Sequence, residues 1–189
     1  MRHLITTLVL AAGVCIANHS SAQTATSNVS TGTALSGIAN DTVATNFIAQ
    51  ASLGNLKEIE AGKLALQKSK QANVRAFAAM MIKDHTKAGA DMNKVLLSKR
   101  FVAPKPPAAS AAPDAMLTNA SGNKFDTNYI TMMYKDHVKT IQLFEHAAAK
   151  VKDPSLKAFA VKTLPILKEH LSMDKQIEAK LNIKPVTSR

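Results

Sequence analysis

The hexapeptide Met80-Met81-Ile82-Lys83-Asp84-His85 recurs as Met132-Met133-Tyr134-Lys135-Asp136-His137, the two copies differing only at Ile82 and Tyr134. A shorter echo, Lys168-Glu169-His170, follows. Imidazoles with carboxylate neighbours support two kinds of interior chemistry. They ligate a transition metal, or they share protons in a buried network that fixes how elements pack. Both uses require the side chains to converge, so the elements that carry them decide the matter.

Each histidine lies in a stretch whose apolar residues recur at helical spacing. Helices are predicted from an Asp41 cap to about Ser69, and from after Asn73 to about Lys99. A third follows Ser121-Gly122 to about Val151. The fourth opens at Asp153-Pro154, a cap followed by an N1 proline, and runs to about Leu181 with a bend expected at Pro165. Between the second and third, Phe101 to Ala115 is rich in proline and alanine and reads as linker, with a short helical piece near Asp114 to Asn119. The expectation is an all-α, ferritin-like four-helix bundle over residues 41–182, built from two helical hairpins with a linker at 100–120 and a tail at 183–189. The second and third helices can run parallel or antiparallel, since the linker is long enough for either. Val74-Arg75-Ala76-Phe77-Ala78 and Leu156-Lys157-Ala158-Phe159-Ala160 match at two helix starts and suggest related hairpins.

At 100° per residue, His85 falls near the centre of the stripe Val74, Phe77, Ala78, Met81, Ala88, Met92 and Leu96, with Asp84 at its edge. His170 lies on the line of Phe159, Thr163, Ile166, Leu167, Ile177 and Leu181. Glu58 shares a face with Phe47, Ala51, Ile59, Gly62, Ala65 and Leu66, whereas Glu60 points away. On the third helix Asp136 and His137 flank a broad stripe through Phe125, Tyr129, Met133, Thr140, Leu143 and Phe144. Counted from the two hairpin turns, these groups come to similar heights. The candidate metal-ligating set is therefore Glu58, His85, Asp136, His137 and His170, for one transition metal ion: zinc, copper or iron. Met81, Met133 and Met173, at the same level, read as core filler, with a copper(I)-type site as their alternative use.

The first residues read differently. Arg2 and His3, the apolar run Leu4 to Ala17, and Ser20-Ser21-Ala22 compose a signal peptide over residues 1–22, too short to span a membrane. Val14 before Cys15 argues against a lipoprotein site. Cleavage removes the only cysteine, and with it disulfides and thiolate chemistry. Residues 23–40, rich in Ser, Thr and Asn, read as a flexible leader. No later stretch is apolar enough to be a transmembrane segment. The formal net charge of +11 falls to +10 without Arg2. It is spread as single lysines, which suits a solvated surface or an anionic envelope partner, not nucleic acid.

Several of these runs carry a family resemblance. Phe47-Ile48, Gly54 to Ala65, Val74 to Ala78 and Met81 to His85 are similar to the DUF4142 domain, a family of exported bacterial proteins of unknown function. In the second half Ser121-Gly122, Phe125-Asp126, Tyr129, Lys135-Asp136-His137, Leu156 to Ala160, Thr163-Leu164-Pro165 and His170-Leu171 continue it, over roughly residues 42–178. The resemblance implies a ferritin-like bundle, periplasmic or outer-membrane associated, and no established activity. Di-iron ferritins use Glu-x-x-His pairs, but Ile82 and Leu167 stand where those glutamates belong. One metal is thus expected rather than two, and no ferroxidase. Nor is there a Gly-rich phosphate loop or a serine-hydrolase elbow. The expected function is a non-enzymatic, exported metal-binding protein. The alternative is a structural or stress-response envelope module whose histidine–carboxylate cluster is architectural.

Overall fold

A computed structural model of the chain describes residues 36–183. Its elements are α1 (Ser36–Ala39), α2 (Thr42–Lys68), α3 (Ala72–Ser98), a 3-10 turn (Ala108–Ala111), α4 (Ala115–Thr118), α5 (Gly122–Lys150) and α6 (Pro154–Lys180). The signal peptide and most of the leader lie outside the described residues. The leader's end does not: α1 forms there, and Ile38 is buried against the bundle. No helix among the described residues is long and apolar enough to cross a membrane.

The helix starts follow their caps. Asp41 Oδ1 accepts from the Val43 and Ala44 amides, and Asp153 Oδ1 from those of Ser155 and Leu156. Two ends close by a left-handed residue: Arg100 (φ 53°) lets Phe101 N–H reach Leu96 O, and Asn182 (φ 54°) lets Ile183 N–H reach Glu178 O. Phe101 and Ile183 then pack onto the core. Pro165 lies inside α6 without ending it.

α2 packs on α3 and α5, and α6 on α5 and α3. Phe47, near the start of α2, meets Phe144, near the end of α5, edge-on with centroids 4.9 Å apart. Lys68, at the end of α2, donates to Ala120 O (2.9 Å) and Leu117 O (3.3 Å), just before α5 begins. α2 and α5 are therefore antiparallel, α3 and α5 parallel, and the linker runs the length of the bundle, about 40 Å at 1.5 Å per residue. This is the long-crossover, ferritin-like topology, and it decides the orientation left open by the sequence.

The core has two halves. One gathers around Phe47, Phe144 and Phe159, the other around Phe77, Phe125 and Tyr129. The matched motifs at the starts of α3 and α6 feed opposite halves, Phe77 one and Phe159 the other. Ile166, expected inward, is 39 % exposed; it borders a cavity between α3 and α6 instead.

Candidate metal centre

Between the two apolar halves each long helix contributes one buried polar side chain: Glu58 from α2, His85 from α3, His137 from α5 and His170 from α6. One ring nitrogen from each histidine lies within 4.8 Å of the other two. Ring centroids are 5.4 Å apart for His85–His170 and His137–His170, and 5.8 Å for His85–His137. Glu58 Oε2 is 2.9 Å from His85 Nε2, and its Oε1 is 3.9 Å from His137 Nδ1. Asp136 does not join them. Neighbouring helix positions face about 100° apart, so with His137 fully inside, Asp136 stays half-buried on the flank of α5. Burial and the Glu58 charge push its carboxyl up.

Ring protons decide what the cluster can bind. His137 Nδ1–H donates to Met133 O at 3.0 Å, one turn back on its own helix. His170 Nε2–H donates to Asp84 Oδ2 at 3.1 Å, and His85 Nδ1–H to Asn55 Oδ1 at 3.2 Å. In neutral rings the inward nitrogens, His85 Nε2, His137 Nε2 and His170 Nδ1, then carry lone pairs. His137 Nε2 and His170 Nδ1 lie 3.3 Å apart, lone pair toward lone pair. Likewise His85 Nε2 and Glu58 Oε2, although 2.9 Å apart, miss hydrogen-bond geometry and are buried without a hydrogen-bond partner. Each contact is met by a proton or a metal ion between its atoms.

A proton is disfavoured on two of the rings. Burial, with repulsion from His85 and His137, lowers His170 to about 4 against the opposing Asp84 hydrogen bond. Burial also lowers His137, overriding the attraction of Glu58. For Glu58, burial works upward, but the charge and close contact of His85, with His137 and His170 behind, hold the carboxyl below its usual range. The Glu58 carboxylate against His85 Nε2, with the inward nitrogens of His137 and His170 beside it, is the kind of mixed imidazole–carboxylate donor set that a transition metal takes. Two nitrogens on a tetrahedral ion, roughly 2.0–2.1 Å from each, stand about 3.3 Å apart. Outer acceptors on each imidazole fix the tautomer that presents the lone pair.

Two cavities lead to the cluster. One of about 480 Å³ between α3 and α6 borders His85 and His170. Another of about 270 Å³, beneath linker residues Ala103 to Pro106, borders Glu58 and His85.

Sequence reasoning missed the outer partners. Asp84 was placed at the stripe's edge as a neighbour of His85, yet it serves His170 across the α3–α6 interface. Asn55 gives no sequence signal beyond standing one turn before Glu58, three positions earlier. It reaches His85 because Gly89 leaves room: a Cβ there would sit 2.9 Å from Asn55 Nδ2.

Fold and site together define a ferritin-like four-helix bundle with a histidine–carboxylate layer at mid-length. The family model described as a domain of unknown function (DUF4142) matches residues 27–177, and the chain belongs to that family. No curated protein matches it. Among solved structures it is similar to a DUF305 protein of Streptomyces coelicolor, described as secreted, with TM-score 0.66 and 15 % identity, covering 78 % of this chain and 96 % of that one. A conserved hypothetical protein of Mycobacterium tuberculosis is similar at TM-score 0.58 and 13 % identity, covering 76 % and 94 %. At these identities the likeness is one of fold.

Proposed function

We propose that this is an exported, non-enzymatic protein that holds one transition metal ion, zinc, copper or iron, between His85, His137, His170 and Glu58. The observation that carries it is the proton accounting. Every outward ring nitrogen has an acceptor, which leaves three lone pairs and an unpartnered carboxylate oxygen facing inward. Four protein donors satisfy a tetrahedral ion, which favours holding a metal over turning over a substrate. Export rests on the signal-like first residues and on the secreted description of the DUF305 neighbour.

The test is metal analysis of the purified protein after exposure to zinc, copper(I) or iron(II), beside a His85→Ala/His170→Ala variant. Near one equivalent in the wild type, lost in the variant, is expected. A wild-type protein that retains no metal would sink the proposal and leave the layer as an architectural network.

A further inference from the structure

Below the histidine layer the bundle buries a second group of polar side chains that the metal centre does not use. Asp174 on α6 is fully buried, and neither of its oxygens has a hydrogen-bond partner. Tyr129 on α5 is also fully buried, and its hydroxyl is unpartnered. Glu178 and Asp126, 5 % and 3 % exposed, each keep one unpartnered buried oxygen. Among the described residues, no Lys, Arg or His lies within ion-pair distance of Asp174.

These residues share a neighbourhood by register. Asp174 and Glu178 stand on successive turns of one face of α6. α5 and α6 are antiparallel and His137 meets His170, so Met133 falls level with Asp174, and Tyr129 with Glu178. The group thus begins one turn, about 6 Å along the axis, from His170. Burial, then the Glu58 charge and then the Asp174 charge raise the Tyr129 phenol, which sets it between the histidine layer and Asp174. Its surroundings are otherwise apolar: Phe77, Met81, Phe125 and Met133 pack in the same cluster as Tyr129.

Lys175 offsets part of the burial of Glu178, but burying Asp174 beside an idle phenol with no ion-pair partner costs several kcal/mol unless something positive compensates. Carboxylate and phenol oxygens without nitrogen or sulfur suit a hard divalent ion. We propose that Asp174, Glu178 and Tyr129 form a second site for a divalent cation of the manganese(II) or magnesium class, distinct from the histidine centre. The ion replaces the proton that Asp174 otherwise keeps, so uptake releases protons. Glu178, the less deeply set carboxyl, is where the ion enters.

Manganese(II) titration of the whole protein, with free ion followed by electron paramagnetic resonance, tests this. One bound manganese per chain is expected in the wild type and in the His85→Ala/His170→Ala variant, which keeps this reading separate from the histidine proposal. Asp174→Asn/Glu178→Gln should weaken binding tenfold or more, with folding checked by thermal melting. Should that variant fail to fold, Tyr129→Phe decides, since it removes one oxygen and is expected to weaken binding several-fold. No uptake by the wild type, or equal affinity in wild type and the variants, would overturn the proposal.

Discussion

His170 and His137 are the residues whose titration couples the site to stability. Both have folded values below the ordinary 6.5, His170 reaching about 4, chiefly through burial. The unfolded chain therefore binds more protons than the folded one between those values, so the stability is present above pH 6.5 and lost as pH falls toward 4. Asp84 faces His170, and Glu58 and His85 face both rings; the lowered Glu58 adds a loss of the same sign at still lower pH. The melting temperature of metal-free protein is expected to drop across this window, and a flat profile would contradict the assignment. Asp174 acts oppositely. Burial and Glu178 raise it to about 8, so its contribution to stability falls as pH rises from 3.8 toward 8. Asp174→Asn in metal-free protein at pH 7 is expected to stabilise by roughly 1–3 kcal/mol, read from denaturant melts. A second consequence concerns Gly89. Gly89→Ala drives a methyl into Asn55 and releases His85 Nδ1, so transition-metal affinity should fall about tenfold with little change in melting temperature.

Among the elements, polar side chains do double duty at the bundle ends. Asp41 caps α2 and also accepts from the Lys152 amide at the α5–α6 turn (3.0 Å). Asp153 caps α6 and pairs with Lys99 at the end of α3 (3.0 Å). At the other end Lys68 gathers the carbonyls of Leu117, Thr118 and Ala120 and lies over the Phe125 ring. That clamp fixes where the crossover lands. Lys68→Met should cost about 1–2 kcal/mol and expose the linker to proteolysis first; unchanged cleavage would argue against the clamp. The long helices were legible because caps and 3.6-residue periodicity are local signals. Crossover direction was not, because a linker of this length permits either course and the Lys68 contacts are long-range. The inward place of Glu58, His85 and His170 could also be read from phase. His137 was harder, since the stripe of α5 is broad and Asp136 looked as good; only packing on three neighbours resolves it.

For the whole molecule, the polar layer divides what would otherwise be one apolar core into two clusters. Such a layer fixes helix register and costs stability unless its charges are matched. Metal loading should therefore raise the melting temperature, by an amount that grows with free metal concentration. The formal net charge is +11, and among the described residues no lysine is buried. If an anionic envelope surface is a partner, cosedimentation with vesicles of anionic lipid should weaken steeply between low and physiological salt, while neutral vesicles bind nothing. The central claim is tested most directly by anomalous diffraction from crystals of the metal-loaded protein. The expected result is one strong peak inside the bundle, within bonding distance of His85 Nε2, His137 Nε2, His170 Nδ1 and a Glu58 oxygen. An interior without such a peak, with His137 and His170 directly hydrogen-bonded, would contradict it.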